Sequence, residues 1–302
     1  MNKVLLAASL LLPALAPAQT DLGHVLPSER ALHVLAIGDY GSGSPHQAAV
    51  ARAIRSRHEE APFDLGVTMG DNFYRCGVRS VKDENWKRRF EDLYSVLHIQ
   101  IYASLGNHDY GHPVVVCPAR AGSPEAEVLY TTQSDTWRMP ARYYTFAAGP
   151  ARFFAIDTEG WSEKQFEWLR KVLADSQNEP GVKWRIVYGH HPMYTSGAHE
   201  NERRIGELRE LLTPVFKENH VDLYLAGHDH DMEHLRKDGV EYVVCGASGA
   251  ELRKPGHTQP ESIFHATTYG FTEFTIDDQH LAFRFYDTDL HSLEDPEPVV
   301  RK

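Results

Sequence analysis

Cysteine is scarce in this chain. Cys76, Cys117 and Cys245 are the only three among 302 residues, too few for a fold held by a disulfide framework. Long apolar runs are missing beyond the N-terminus, and none reaches the roughly 20 uncharged residues that a membrane-spanning helix needs. There is no internal repeat and no low-complexity block, which excludes solenoids and fibrous arrays. Positive charge is in deficit, with 31 Lys and Arg against 42 Asp and Glu and a formal net charge of -11. No basic stripe interrupts that balance, so nucleic acid is not expected as a specific partner.

What is present is an apolar content of 42%, with 11% aromatic residues, enough for a sizeable core. At the N-terminus, Lys3 precedes an apolar run from Val4 to Leu12 and a small-residue stretch from Ala14 to Ala18. This is the pattern of an export signal cleaved after Ala16-Pro17-Ala18. Residues 1–18 are therefore expected to be removed, leaving a secreted or periplasmic chain from Gln19 with no membrane contact. Residues 19–302 are expected to form a single domain whose core covers about 30–290, with frayed ends. In an oxidising compartment one bridge and one free thiol can form, and the sequence leaves open whether Cys76 pairs with Cys117.

Five apolar runs share one grammar: each ends in a polar loop opened by glycine. They are Leu32–Ile37, Leu65–Met69, Ile99–Leu105, Arg185–Tyr188 and Val221–Ala226, and each has the length of a buried strand. Helical patterns cover Gln47–His58, Asp83–Leu97, Glu163–Ser176 and Asn201–Asn219. Further strand-like runs lie at Tyr143–Ala147, Phe153–Ile156, Tyr242–Cys245, Phe271–Ile276 and His280–Tyr286. Thr20–Arg30 has the character of a polar lead, and Gly111–Gln133 of a long loop. Ligand sites of α/β proteins gather at the carboxyl ends of strands, which gives the five loops a shared functional edge.

The loops carry Gly38-Asp39-Tyr40-Gly41, Gly70-Asp71-Asn72-Phe73-Tyr74, Gly106-Asn107-His108-Asp109, Val187-Tyr188-Gly189-His190 and Gly227-His228-Asp229-His230. Any one alone is an ordinary turn. Together they supply carboxylate, phenol, amide oxygen and imidazole, the mixture that hard and borderline cations take. The neighbouring glycines are expected where the turning backbone needs positive φ.

In this order the motifs GDxG, GDxxY, GNH followed by an acid, VxxH and GHxH resemble those of the purple acid phosphatases, and the length resembles the small, tartrate-resistant type. The resemblance implies an α/β metallophosphoesterase sandwich of two mixed β-sheets flanked by helices, with two metals at the C-terminal edge of the strands. It assigns Asp39, Asp71, Tyr74 and His230 to one metal and Asp71, Asn107, His190 and His228 to the other, with Asp71 bridging. A phenol has a reference pKa of about 10, so the Tyr74 site favours Fe(III), while the second site suits Fe(II), Zn(II) or Mn(II).

The implied function is hydrolysis of small phosphate monoesters by an exported acid phosphatase, a hydroxide on the metals attacking phosphorus in line. His108 is the expected proton donor, with His199 as its helper and Asp109 as an orienter of the His108 ring. His191 stands where the resembling enzymes often carry an aromatic residue; it either touches the substrate mouth or packs. Asp229 is expected to be structural. The alternatives are a phosphodiesterase or nucleotide-hydrolysing metallophosphoesterase, which Tyr74 counts against, and a non-catalytic metal- or phosphate-binding protein.

Overall fold

The protein is described here by a computed structural model covering residues 19–27, 30–112, 117, 122–294 and 299–300. The expected export signal, 1–18, lies outside the described residues. One eight-stranded sheet has the order β1 (Gln19–His24), β6 (Tyr143–Ala148), β7 (Ala151–Ala155), β8 (Trp184–Tyr188), β9 (Leu223–Ala226), β11 (Val240–Cys245), β10 (Met232–Lys237), β12 (Ser262–Ala266). The other runs β15 (Ser292–Glu294), β14 (His280–Asp287), β13 (Gly270–Ile276), β2 (Leu32–Ile37), β3 (Leu65–Thr68), β4 (Gln100–Ala103), β5 (Trp137–Arg138), with β16 (Val299–Val300) beside β14. Both are mixed: β2 to β5 are parallel and β13 to β15 antiparallel, while β7, β8, β9 and β11 are parallel and β10 and β12 antiparallel.

The apolar runs without alternation are the strands buried on both faces, as parallel strands covered on each side require. Every residue of β3, β8 and β9 is buried. One apolar cluster joins residues of the two sheets, among them Leu35, Ile101, Phe146, Phe153, Ile186 and Phe274. A second packs Phe154, Val187 and Tyr224 against Leu169, Leu173, Leu208 and Leu212 of the helices α4 (Glu163–Ser176) and α5 (Arg203–Glu218).

Helix α1 (Pro45–Glu60) follows the Asp39 loop and starts where Ser44 accepts a hydrogen bond from the Gln47 N–H, with proline in the first turn, a capping arrangement that fixes the loop's exit. Its far end is tied to β13: Arg57 donates from Nε and Nη2 to Glu273 at 2.8 and 3.0 Å, and His33 Nε2 lies 3.2 Å from the same carboxylate. Burial acts to raise the Glu273 carboxyl, but His33 and Arg57 outweigh it and hold it at about 2. A depressed carboxyl stabilises the fold above its unfolded value and loses that contribution as pH falls from about 4 towards 2. Glu273→Gln should therefore cost about 1.5–3 kcal/mol at pH 7 and flatten the acid limb of stability, measured by urea unfolding across pH 2–7. An unchanged acid limb would show that the pair contributes nothing.

The structure departs from the sequence expectations in four places. The polar lead contains β1, which pairs in parallel with β6. The expected loop Gly111–Gln133 contains α3 (Pro124–Tyr130), capped by Ser123 and opened by proline. The end beyond Leu293 still contributes Val299–Val300 to the sheet edge.

The fourth departure is that Asp83–Leu97 is not one regular helix. It is a wide π turn over Trp86–Glu91, then α2 (Asp92–Tyr94) and a 3₁₀ turn Ser95–Leu97, stopped by His98 at φ 53. Trp86, Phe90 and Tyr94 recur every fourth residue and all are buried. A 3.6-residue turn would rotate them progressively off the core, and the wider turn corrects that drift.

Candidate metal centre

The ends of β2, β3, β4, β8 and β9 bring their five loops together beneath a cavity of about 980 Å³. Asp71, Tyr74, Asn107, His108, His199, His228 and His230 line it, while Asp39 and His190 are fully buried below. All nine residues singled out in the sequence thus meet at one site. The backbone there is strained, since Asp39, Asp71 and His228 sit at φ 55, 51 and 70, a left-handed conformation costly for residues with a Cβ.

The expectation that the glycines take up the positive φ holds for Gly70, at φ 77, but not for the others beside these residues. Gly106 serves close approach instead, because a Cβ there would collide with the Asp71 carboxylate.

Each histidine is oriented by an acceptor at one ring nitrogen. His190 Nδ1 donates to the Met69 carbonyl at 2.8 Å, and His230 Nδ1 donates to the Glu251 carbonyl at 2.6 Å. His228 Nε2 donates to Glu202 Oε2 at 2.9 Å. These acceptors fix the tautomers, so the opposite ring nitrogen of each faces inward.

His190 Nε2 lies 2.9 Å from Asn107 Oδ1 and 3.1 Å from His228 Nδ1, with Asp71 Oδ1 at 3.6 Å. On the other side Asp39 Oδ1 lies 2.8 Å from the Tyr74 hydroxyl and 3.4 Å from His230 Nε2, and the Tyr74 hydroxyl lies 3.1 Å from His230 Nε2. Donor atoms about 2.0–2.1 Å from one cation sit close to 3 Å from each other. Both groups have that spacing, with Asp71 next to each, and the donor set fits two cations.

Burial alone would raise Asp39, yet His230 and His190 hold its carboxyl below the ordinary value. Burial would lower His190 and His230, but the carboxylates Asp71 and Asp39 raise the first and Asp39 raises the second. The carboxylates thus draw positive charge to this spot. Burial, then Asp39 and Asp71, push the Tyr74 phenol well above 10, so only a strongly polarising cation would hold it as phenolate.

His108 donates its backbone N–H to Asp71 Oδ1 at 2.9 Å and its Nδ1–H to the Arg75 carbonyl at 2.5 Å, which turns Nε2 towards the site. The expected orienter Asp109 does something else. Its oxygens accept from the N–H groups of Asn72, Phe73 and Gly106 at 3.2, 3.0 and 2.9 Å, stapling the Asp71 and Asn107 loops together. Burial and the neighbouring Asp71 push its carboxyl up to about 7.

Asp229 is a positioning residue as well as a structural one, accepting from the His199 ring at 2.7 Å. His191 is buried, with Nδ1 2.9 Å from the Thr158 hydroxyl and its ring 4.4 Å from that of His228. It packs behind the site and does not line the cavity. Glu202 and Arg253, both on the cavity wall, carry no sequence motif; only the fold brings them in. Cys76 and Cys117 form a disulfide with Cα atoms 5.5 Å apart, and Cys245 is free and buried.

The calcineurin-like phosphoesterase family matches residues 32–232. Purple acid phosphatase 7 of Arabidopsis thaliana is 30% identical over 288 residues, covering 86% of this chain and 84% of that protein. Tartrate-resistant acid phosphatase type 5 of Rattus norvegicus is 28% identical over 263 residues, 75% of each chain. Among solved structures, GAP50, the anchor in the inner membrane complex of Plasmodium, aligns with a TM-score of 0.77 at 22% identity over 90% of each chain, a likeness of fold alone. With five intact motif loops meeting at one cavity, the chain belongs to the calcineurin-like phosphoesterases, in their purple acid phosphatase branch.

Proposed function

We propose that this protein is an exported acid phosphatase that hydrolyses phosphate monoesters at a dinuclear metal centre. The observation that carries the proposal is the inward-facing nitrogens of His190, His228 and His230, each fixed by an acceptor at the other ring nitrogen and set among Asp39, Asp71, Tyr74 and Asn107. Asp39, Asp71, Tyr74 and His230 would hold Fe(III), while Asp71, Asn107, His190 and His228 would hold Fe(II), Zn(II) or Mn(II). When bound, the pair supplies Lewis acidity towards the phosphoryl oxygens and a nucleophile at mildly acidic pH.

The chain's own residues do the rest. Asp71 balances charge between the two donor groups. His108, held by the Arg75 carbonyl, presents Nε2 to give a proton to the departing alkoxide. His199 is fixed by Asp229 beside His228, their rings 4.3 Å apart.

The N-terminal segment pattern supports export, as does the Cys76–Cys117 bridge, which suits an oxidising compartment. Among the described residues no helix is long and apolar enough to cross a membrane. The chain runs from β1 in one sheet to β2–β5 in the other, back through β6–β12 and out to β13–β16, an alternation that supports a single catalytic domain.

Metal analysis of the purified protein, with rates on an aryl monoester and its bis-ester, tests the assignment. Two metals with faster monoester turnover are expected; bis-ester preference would make the protein a phosphodiesterase. Loaded with iron, the protein should absorb in the visible through the Tyr74 phenolate, and Tyr74→Phe should abolish that band. Activity should peak below neutrality. Colourless iron-loaded protein with an alkaline optimum would remove Tyr74 from the ligand set.

A further inference from the structure

Three arginines line the cavity, Arg75, Arg89 and Arg253, and among the described residues none of them forms an ion pair with a carboxylate. Arg253 lies half-buried on its wall, and among the described residues its guanidinium has a histidine as its hydrogen-bond partner and no carboxylate in ion-pair reach: Nη1 donates to His199 Nε2 at 2.7 Å. That nitrogen is an acceptor because Asp229 Oδ1 takes the Nδ1–H of the same ring at 2.7 Å. An imidazole lone pair orients a guanidinium without neutralising it, and arginine stays charged at every relevant pH. Glu202, the nearby cavity carboxylate, feels the Arg253 charge at longer range and accepts from His228 Nε2 at 2.9 Å. Arg89, on another wall, is turned towards the backbone carbonyls of Gly41 and Tyr74, and Arg75 is exposed.

Arg253 is also registered to the candidate metal centre. Its backbone N–H donates to the His230 carbonyl at 3.2 Å, and two residues earlier the Glu251 carbonyl fixes the His230 ring. One short segment thus sets both a candidate ligand and this cation. We propose that Arg253 is a substrate-binding residue that holds the phosphoryl oxygens of a monoester dianion and favours monoesters over diesters, an inference that rests on the hydrolase assignment above.

The selectivity follows from charge. With a second phosphate pKa of about 6, a monoester near neutrality carries close to two negative charges on three free oxygens. A diester carries one charge on two. The guanidinium fork suits paired phosphate oxygens, and each oxygen or charge removed from the ligand reduces what Arg253 contributes. If Arg253 only braced His199, its loss would affect both ester classes alike.

The test uses Arg253→Gln and Arg253→Lys, each checked for unchanged metal content, at pH 7. For Arg253→Gln, kcat/KM on an aryl monophosphate should fall about 10–100-fold, chiefly through KM, the range of a lost charge-assisted hydrogen bond. The bis-aryl ester should lose less than about 3-fold, its smaller charge making less of the same contact. Arg253→Lys should recover part of the monoester loss because the charge is kept. Calorimetric titration with inorganic phosphate should show about 10-fold weaker binding by Arg253→Gln. Equal losses on both esters, or unchanged phosphate affinity, would overturn the inference while leaving the hydrolase assignment intact. A wild type that hydrolysed neither ester would remove that assignment and the ester selectivity with it, and the phosphate titration would then decide the Arg253 contact alone.

Discussion

Asp71→Asn is expected to release or scramble both metals and to reduce monoester turnover by more than about 10³-fold, beyond the 10²–10³ typical of losing one transition-state donor. Asp71 is the carboxylate adjacent to both donor groups: it belongs with Asp39 and His230 on one side and lies 3.6 Å from His190 Nε2 on the other. A neutral amide cannot balance two cations.

Asparagine is also the replacement that isolates the charge. The residue sits at φ 51, a conformation asparagine tolerates better than most side chains, and its amide oxygen can still accept the His108 N–H. The fold should survive, with circular dichroism and thermal unfolding close to the parent. Metal content and kcat measured on that folded variant decide the matter. Retention of two metals with near-normal turnover would exclude Asp71 as the bridge.

The parts of the site legible in the sequence are those where chemistry and local structure coincide. A buried parallel strand is largely apolar and stops where its polar loop begins, so Leu32–Ile37, ending just before Gly38-Asp39, can be recognised from composition alone. Gly106 was expected for positive φ, and the crowding against Asp71 that requires it instead comes only with the fold. Arg253 and Glu202 were not legible, because each works through a partner more than twenty residues away, His199 and His228 respectively. Nothing in their neighbours distinguishes them from surface charges.

Asp109 shows the opposite failure. It follows His108 directly, so adjacency suggested that it orients that ring. The turn instead sends the carboxylate beneath the loops, where it accepts three backbone N–H groups. Buried N–H groups must find an acceptor, and here that need determines where the side chain goes. The short helix Pro124–Tyr130 carried a usable signal, serine followed by proline and two acidic residues in the first turn, which the lack of a longer period concealed.

His108→Ala is the substitution that separates proton transfer from metal binding. His108 is held from both ends: its backbone N–H donates to Asp71 and its ring Nδ1–H to the Arg75 carbonyl at 2.5 Å. The ring lies against Tyr74 with centroids 4.4 Å apart, and Nε2 is 3.9 Å from Asp71 Oδ2, close to the centre without joining either donor group. The backbone bond to Asp71 survives truncation to alanine, so the variant should retain both metals. General acid catalysis is typically worth about 10²–10⁴-fold, and the benefit depends on how much the leaving oxygen needs a proton. Alkyl phosphates should therefore slow by about that factor, while activated aryl esters, whose phenolate leaves without help, should slow by less than about 10-fold. The measurement is kcat across esters of graded leaving-group pKa, where the variant should show a steeper dependence than the parent. Parallel lines for the two proteins would show that His108 binds or positions the substrate and that the proton comes from another group.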